Sequence, residues 1–135
     1  MGEGSELAKI LIVEDNALNI KLFCDLLAAH GHEPEAVTDS RNALDAARNF
    51  SPDLVITDIQ LPHLSGLELI RMIRRDEKLA EVPIMAVTAY SARGDEERIR
   101  GAGAQAYVSK PISVVRFVQE VDALLAGKHE TVEQE

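Results

Sequence analysis

The stretch Leu54-Val-Ile-Thr-Asp58 is an apolar run that ends in a carboxylate. Short runs without alternating polar residues are typical of strands buried on both faces of a parallel sheet. Similar runs occur at residues 9–13, 84–88 and 106–109, and a weaker one occurs at residues 35–37. The sequence therefore predicts five short strands along the chain.

Segments in which apolar residues recur with the period of a helix lie between and after these strands. They are expected at residues 16–30, after a cap at Ser40, after the loop at 61–66, at residues 93–101 and after a cap at Ser113. Strict alternation of strand and helix predicts a doubly wound α/β fold, with a parallel sheet and helices on both of its faces.

Two of the helices have informative apolar patterns. Ile99 is the only large apolar residue of the segment 93–101, so this helix should be held weakly to the core. The last helix is predicted to bury one face formed by Val114, Val118, Val121 and Leu125.

The composition narrows the class of protein. The chain has 135 residues with a formal net charge of −9, which argues against binding along nucleic-acid backbones or anionic membranes. A single cysteine, Cys24, excludes an intramolecular disulfide framework and a cysteine-rich zinc site. We expect one acidic cytoplasmic domain at residues 8–126, a flexible N-terminus at 1–7, a polar flexible tail at 127–135 and no second domain.

Polar residues follow four of the five predicted strands. They are Glu14 and Asp15, Asp58, Thr88 and Lys110. In a doubly wound sheet, ligands bind beyond the carboxyl ends of the strands, so these side chains should converge at one edge of the sheet.

Three carboxylates in one crevice repel one another unless a cation lies among them, and oxygen ligands suit Mg²⁺. Lys110 and Thr88 could then hold oxygens of a phosphoryl group. Asp58 is the best-placed nucleophile because it ends the central strand, and it would accept the phosphoryl group as an acyl phosphate.

Four motifs in this order resemble the receiver domain of bacterial two-component response regulators. They are Glu14-Asp15, Asp58 within Thr57-Asp-Ile-Gln-Leu-Pro62, Thr88-Ala89 and Lys110-Pro111. The resemblance covers about residues 8–126 and implies a flavodoxin-like (βα)5 doubly wound parallel sheet with strand order 2-1-3-4-5.

The resemblance also implies the metal site. Asp58 would be the phosphoacceptor, and it would bind Mg²⁺ together with Asp15 and the backbone carbonyl of Gln60. Glu14 would assist through a water molecule.

The resemblance further implies that Thr88, Ala89 and Lys110 bind the phosphoryl oxygens and that the Lys110–Pro111 peptide bond is cis. Thr88 and Tyr90 would form the switch, because movement of the Thr88 hydroxyl toward the phosphoryl group would let the Tyr90 ring turn inward. We refer to the surface that should bind partners after this change as the partner face; it is predicted to comprise Tyr90, Ile99, Tyr107, Arg116 and Phe117.

Three longer segments are similar to the DivK group, single-domain regulators of cell division and polarity in alphaproteobacteria. They are residues 13–23, 94–100 and 107–117. This similarity implies histidine kinases as partners, whose activity the phosphorylated receiver alters, and recruitment by them to a cell pole. Transfer of the phosphoryl group to a histidine phosphotransfer protein is the alternative role. A monomer or weak dimer is expected.

Two other functions compete with a binding module that catalyses only its own phosphorylation and dephosphorylation. A Mg²⁺-dependent aspartyl-phosphate phosphohydrolase of the haloacid-dehalogenase type would carry a second Asp two residues after the nucleophile, where this chain has Gln60. A flavodoxin-like cofactor carrier would need a phosphate loop after the first strand, where this chain has Glu14-Asp-Asn16. Both alternatives are therefore disfavoured.

Overall fold

The computed structural model of the protein describes residues 8–89 and 94–130. The strands are β1 (Lys9–Val13), β2 (Glu33–Val37), β3 (Leu54–Asp58), β4 (Ile84–Thr88) and β5 (Ala106–Ser109). The helices are α1 (Ala17–Ala29), α2 (Ala43–Phe50), α3 (Gly66–Arg75), α4 (Asp95–Ala102) and α5 (Val114–Glu130). The strands form one parallel sheet in the order β2-β1-β3-β4-β5, which confirms the predicted fold class.

The helices cover both faces of the sheet. Successive side chains of a strand point to opposite faces, so alternate residues of β1 pack against different helices. Leu11 and Val13 of β1 belong to a core cluster that includes residues of α2, α3 and α4. Ile10 and Ile12 belong to a second cluster with residues of α1 and α5, in which the rings of Phe23 and Phe117 stack with centroids 5.0 Å apart.

Local signals fix where several helices begin. The side chain of Asn16 accepts a hydrogen bond from the Asn19 backbone N–H, and Ser65 does the same for Glu68. The predicted cap at Ser113 is confirmed, since its hydroxyl oxygen accepts from the Arg116 N–H at 3.3 Å.

The predicted cap at Ser40 is wrong. Asp39 instead accepts a hydrogen bond from the Arg41 N–H at the start of a 3-10 turn, Ser40–Asn42, which precedes α2. Ser40 is buried, and its hydroxyl donates to the carbonyls of Leu64 and Pro62 at 2.6 and 3.2 Å. This residue therefore holds the β3–α3 loop instead of a helix end.

The predicted apolar face of α5 needs one correction. Val114 is 46% exposed, whereas Phe117 is fully buried and packs on Phe23. The helix also continues to Glu130, so the predicted boundary of the tail at residue 127 falls inside α5. Residues 1–7 and 131–135 lie outside the described residues, and their predicted flexibility stays a prediction.

Candidate functional site

The carboxyl ends of β1, β3, β4 and β5 bring the predicted polar residues to one edge of the sheet. Asp58 is the last residue of β3 and lies opposite Val87 of β4, while Thr88 lies opposite Ser109 of β5. Lys110 follows directly, and its backbone N–H donates to the Thr88 carbonyl at 2.8 Å. The register of the strands, rather than any local sequence feature, thus sets the relative height of these residues.

Asp58 is 3% exposed and its two carboxylate oxygens have different partners. Lys110 Nζ donates to Oδ2 at 2.8 Å, and the backbone N–H of Gln60 donates to Oδ1 at 3.1 Å. A buried carboxylate needs such partners to stay charged, and a charged carboxylate is the form that can attack phosphorus. The structure therefore places a buried and hydrogen-bonded carboxylate at the position where the sequence predicts the nucleophile.

Glu14, Asp15 and Asp58 form an acidic cluster in which one carboxylate oxygen of each lies within 4.8 Å of the others. Burial raises the pKa of Glu14, and the negative charge of Asp58 raises it further, whereas Lys110 acts in the opposite direction. Among residues 8–89 and 94–130, Glu14 Oε1 is buried and has no hydrogen-bond partner, while Oε2 accepts from the Asn16 N–H at 3.2 Å. These three carboxylates suit a hard divalent cation, whose charge would relieve their mutual repulsion.

The side chain of Gln60 bridges two groups that are predicted to bind phosphoryl oxygens. Its Nε2 donates to Thr88 Oγ1 at 2.7 Å, and its Oε1 accepts from the Ala89 backbone N–H at 3.1 Å. Sequence reasoning considered the backbone carbonyl of Gln60 and missed its side chain. The only signal in the sequence was a long amide side chain two residues after the predicted phosphoacceptor.

The backbone at Asp58 is packed closely against the start of α3. A Cβ placed on Gly66 would lie 2.7 Å from Ile59 Cα and 2.9 Å from the Asp58 carbonyl carbon, and closest of all to the Asp58 carbonyl oxygen. Only glycine fits there without movement of the strand end. Gly66 therefore permits the close approach of α3 to the predicted phosphoacceptor Asp58, a requirement that the sequence analysis also missed.

The residues predicted for the switch and for the partner face differ in exposure, and one of them is not described by the structure. Tyr90 lies outside the described residues. Ile99 and Phe117 are 1% and 0% exposed, so they support this surface from beneath and cannot contact a partner there themselves. Tyr107 is partly exposed and Arg116 is exposed, with Arg116 Nε lying 3.6 Å from Glu120 Oε2.

Two further backbone and sequence features complete the description. The peptide bond between Lys110 and Pro111 is cis. Within residues 8–89 and 94–130, no helix combines the length and the apolar character that crossing a membrane would require.

Comparisons with known proteins agree with this geometry. The model of the response regulator receiver domain family matches residues 10–122. The polar-differentiation response regulator DivK of Brucella ovis is 51% identical over 116 residues, which cover 86% of this chain and 94% of that protein.

Two examples represent the solved structures that are similar in fold. The chemotaxis protein CheY4 of Vibrio cholerae superposes with a TM-score of 0.83 at 24% identity, covering 87% of this chain and 98% of that one. The receiver domain of the sensor histidine kinase PA1611 from Pseudomonas aeruginosa, whose structure has a magnesium ion in its active-site cleft, gives a TM-score of 0.82 at 31% identity. That match covers 89% of this chain and 98% of the receiver domain.

Proposed function

Because the chain belongs to the response regulator receiver domain family, we propose that it is a phosphorylation-switched regulator that accepts a phosphoryl group on Asp58. The observation that carries the proposal is the environment of this buried carboxylate. Lys110 Nζ donates to it at 2.8 Å, and Glu14 and Asp15 complete an acidic cluster beside it. One crevice thus contains a carboxylate in position to act as the nucleophile, the Lys110 ammonium and two further carboxylates that would suit a metal ion.

In the transfer step, one carboxylate oxygen of Asp58 forms a bond to phosphorus while the bond from phosphorus to the donor breaks. The donor group, a histidine imidazole or acetate, leaves with that bonding pair. Lys110 and the Ala89 N–H would hold phosphoryl oxygens during transfer, and Thr88 would donate its hydroxyl proton to another in a hydrogen bond. Asp15, Asp58 and the Gln60 carbonyl would hold Mg²⁺, which when bound neutralises charge that develops on the phosphoryl oxygens.

Labelling of Asp58 is the direct test. Incubation with acetyl phosphate and Mg²⁺ should add one phosphoryl group to the wild-type protein in intact-mass spectrometry, and none to Asp58→Asn, because the amide is a far weaker nucleophile. Asp45→Asn, on the exposed side of α2, is the matched control and should label like the wild type. Substantial label on Asp58→Asn would place the acceptor elsewhere.

The phosphohydrolase alternative predicts a different outcome in the same reaction. Gln60 occupies the position where such an enzyme has its second Asp, and the Gln60 side chain is hydrogen-bonded to Thr88 and Ala89. We therefore expect label to accumulate to one phosphoryl group per chain, with no sustained release of p-nitrophenol from p-nitrophenyl phosphate. Sustained turnover would favour the hydrolase.

We further propose that the phosphorylated protein regulates histidine kinases in the control of cell division and polarity. The proposal draws on the DivK relatives, whose name refers to polar differentiation. The partner face would comprise Tyr107 and Arg116 at its surface, with Tyr90 as a further predicted contributor. Purified histidine kinases from the same genome should bind the beryllofluoride-loaded protein more tightly than Asp58→Asn. Rapid loss of label to a histidine phosphotransfer protein would instead identify a phosphoryl shuttle.

A further inference from the structure

The Gln60 side chain is hydrogen-bonded to two groups that are predicted to bind a phosphoryl group on Asp58. Its amide spans from Thr88 Oγ1, at 2.7 Å, to the Ala89 N–H, at 3.1 Å. The backbone N–H of the same residue donates to Asp58 Oδ1 at 3.1 Å. Gln60 thus binds the phosphoacceptor through its backbone and the predicted phosphoryl-binding groups through its side chain.

The orientation of this amide is determined by the chemistry of its partners. A backbone N–H can only donate, so the atom facing Ala89 must be the carbonyl oxygen of Gln60. The amide nitrogen is then the atom that faces Thr88, whose hydroxyl oxygen can accept. Flipping the amide would place two donors against each other at Ala89, which would remove one hydrogen bond.

The two contacts have different consequences for phosphorylation. The contact at Thr88 uses a lone pair of the hydroxyl oxygen and not its proton, so Gln60 does not compete with a phosphoryl oxygen for that proton. The Ala89 N–H carries one hydrogen and already uses it for Gln60 Oε1. A phosphoryl oxygen can therefore bind Ala89 only if the Gln60 oxygen leaves.

We infer that Gln60 is a latch that competes with the phosphoryl group for the Ala89 N–H and so holds the site in its resting state. The inference rests on the proposed function, since it concerns the same site. Release of the latch exchanges one hydrogen bond for another, and the exchange links occupancy of Asp58 to the conformation at the end of β4. Gln60 is a positioning residue here, distinct from the role of its backbone carbonyl in the predicted metal site.

Binding of beryllofluoride, an anion that mimics a phosphoryl group on a carboxylate, tests the latch at saturating Mg²⁺. Gln60→Ala removes the competing side chain, and Gln60→Met retains its length without the hydrogen bonds. Both variants should bind beryllofluoride about three- to tenfold more tightly than the wild type, the value of one hydrogen bond. Without beryllofluoride, the Mg²⁺ affinity of both variants should stay within about twofold of the wild-type value, because a bound metal ion does not compete with Gln60 for the Ala89 N–H.

Gln119→Ala, an exposed position on α5, is the control and should bind both ligands like the wild type. Unchanged or weaker beryllofluoride binding by both Gln60 variants would overturn the latch. Tighter binding by Gln60→Ala alone would also overturn it, because the effect would then come from space instead of the hydrogen bond. Absence of beryllofluoride binding and of Asp58 labelling in the wild type would refute the proposed function itself, whereas a labelled wild type with unaffected variants refutes only the latch.

Discussion

Replacing Gly66 with alanine should reveal how tightly the phosphoacceptor is held by the start of α3. In an ordinary helix the change from glycine to alanine stabilises a protein by roughly 0.5–1 kcal/mol, because alanine loses less backbone entropy on folding. Here the new Cβ would press on the backbone of Asp58 and Ile59, with contacts of 2.9 Å or less to three of its atoms. Those atoms belong to the last residue of a buried central strand and to the residue after it, and backbone atoms cannot rotate away as a side chain could.

The expected size of the effect follows from these two opposing contributions. Overpacking of a buried site costs roughly 1–3 kcal/mol, and the rigid backbone favours the upper end. After subtracting the helical gain, we expect Gly66→Ala to lower the free energy of unfolding by about 2 kcal/mol. For a domain of this size, this corresponds to a fall in Tm of about 6–10 °C.

Gly101→Ala is the matched control, because Gly101 also lies in a helix and a Cβ there would meet no atom within 4 Å. It should raise the free energy of unfolding by roughly 0.5–1 kcal/mol, so that the two alanine variants differ by about 3 kcal/mol. Urea unfolding of both variants measures this difference. Displacement of the Asp58 backbone should also slow labelling by acetyl phosphate at least about tenfold in Gly66→Ala, since small displacements of reacting groups are costly.

A rigid, close approach of α3 to the strand end would be refuted if Gly66→Ala were as stable as Gly101→Ala. Equal stability would mean that α3 moves away from the strand end without cost. Normal labelling together with lower stability would show that the strain is relieved in α3, and that Asp58 stays in place.

Two other predictions concern charge. Mg²⁺ should raise the Tm relative to EDTA because it relieves repulsion within the acidic cluster, and identical melts with Mg²⁺ and EDTA would contradict this. Glu14→Gln should raise the Tm of the metal-free protein. Burial raises the pKa of Glu14, so the charged form of this side chain is disfavoured in the folded protein. Burial lowers the pKa of His32, despite the opposing charge of Asp122, so the unfolded chain takes up a proton below about pH 6.5 more readily than the folded protein does. The contribution of His32 to stability is thus present above that pH and lost as the pH falls, so His32→Gln should lose less stability between about pH 7.5 and 5.5 than the wild type. The exposed His63→Asn should behave like the wild type, and parallel pH profiles for all three proteins would disprove the assignment.

The sequence predicts four of the five strands well because the apolar residues of these strands are consecutive. β1, β3, β4 and β5 occupy the predicted residues, whereas β2 begins at Glu33 instead of near residue 35. β2 lies at an edge of the sheet, and Glu33 and Glu35 are exposed, so no apolar run marks where this strand starts.

Contacts between distant residues account for what the sequence could not predict. Ser40 is as good a helix cap as Asp39 by type, and only its bond to Leu64, 24 residues away, reveals its role. That the polar residues at the strand ends lie together was predictable from topology, because the carboxyl ends of parallel strands meet at one edge of the sheet. The Gln60 latch was not, because it depends on the direction of one side chain across 28 or 29 residues of chain.

The hydrogen bonds of the resting site distinguish how a cation and a phosphoryl group would enter it. Glu14 Oε1 is buried without a partner in the described part of the chain, and such an atom costs about 1–3 kcal/mol. A cation among the carboxylates therefore compensates existing charge and leaves the two side-chain hydrogen bonds of Gln60 in place. A phosphoryl group must instead take the Ala89 N–H from Gln60 and draw Lys110 Nζ from a bond of 2.8 Å to Asp58. Metal binding should accordingly be independent of the Gln60 side chain and phosphoryl binding should not, since the first adds an interaction and the second exchanges two.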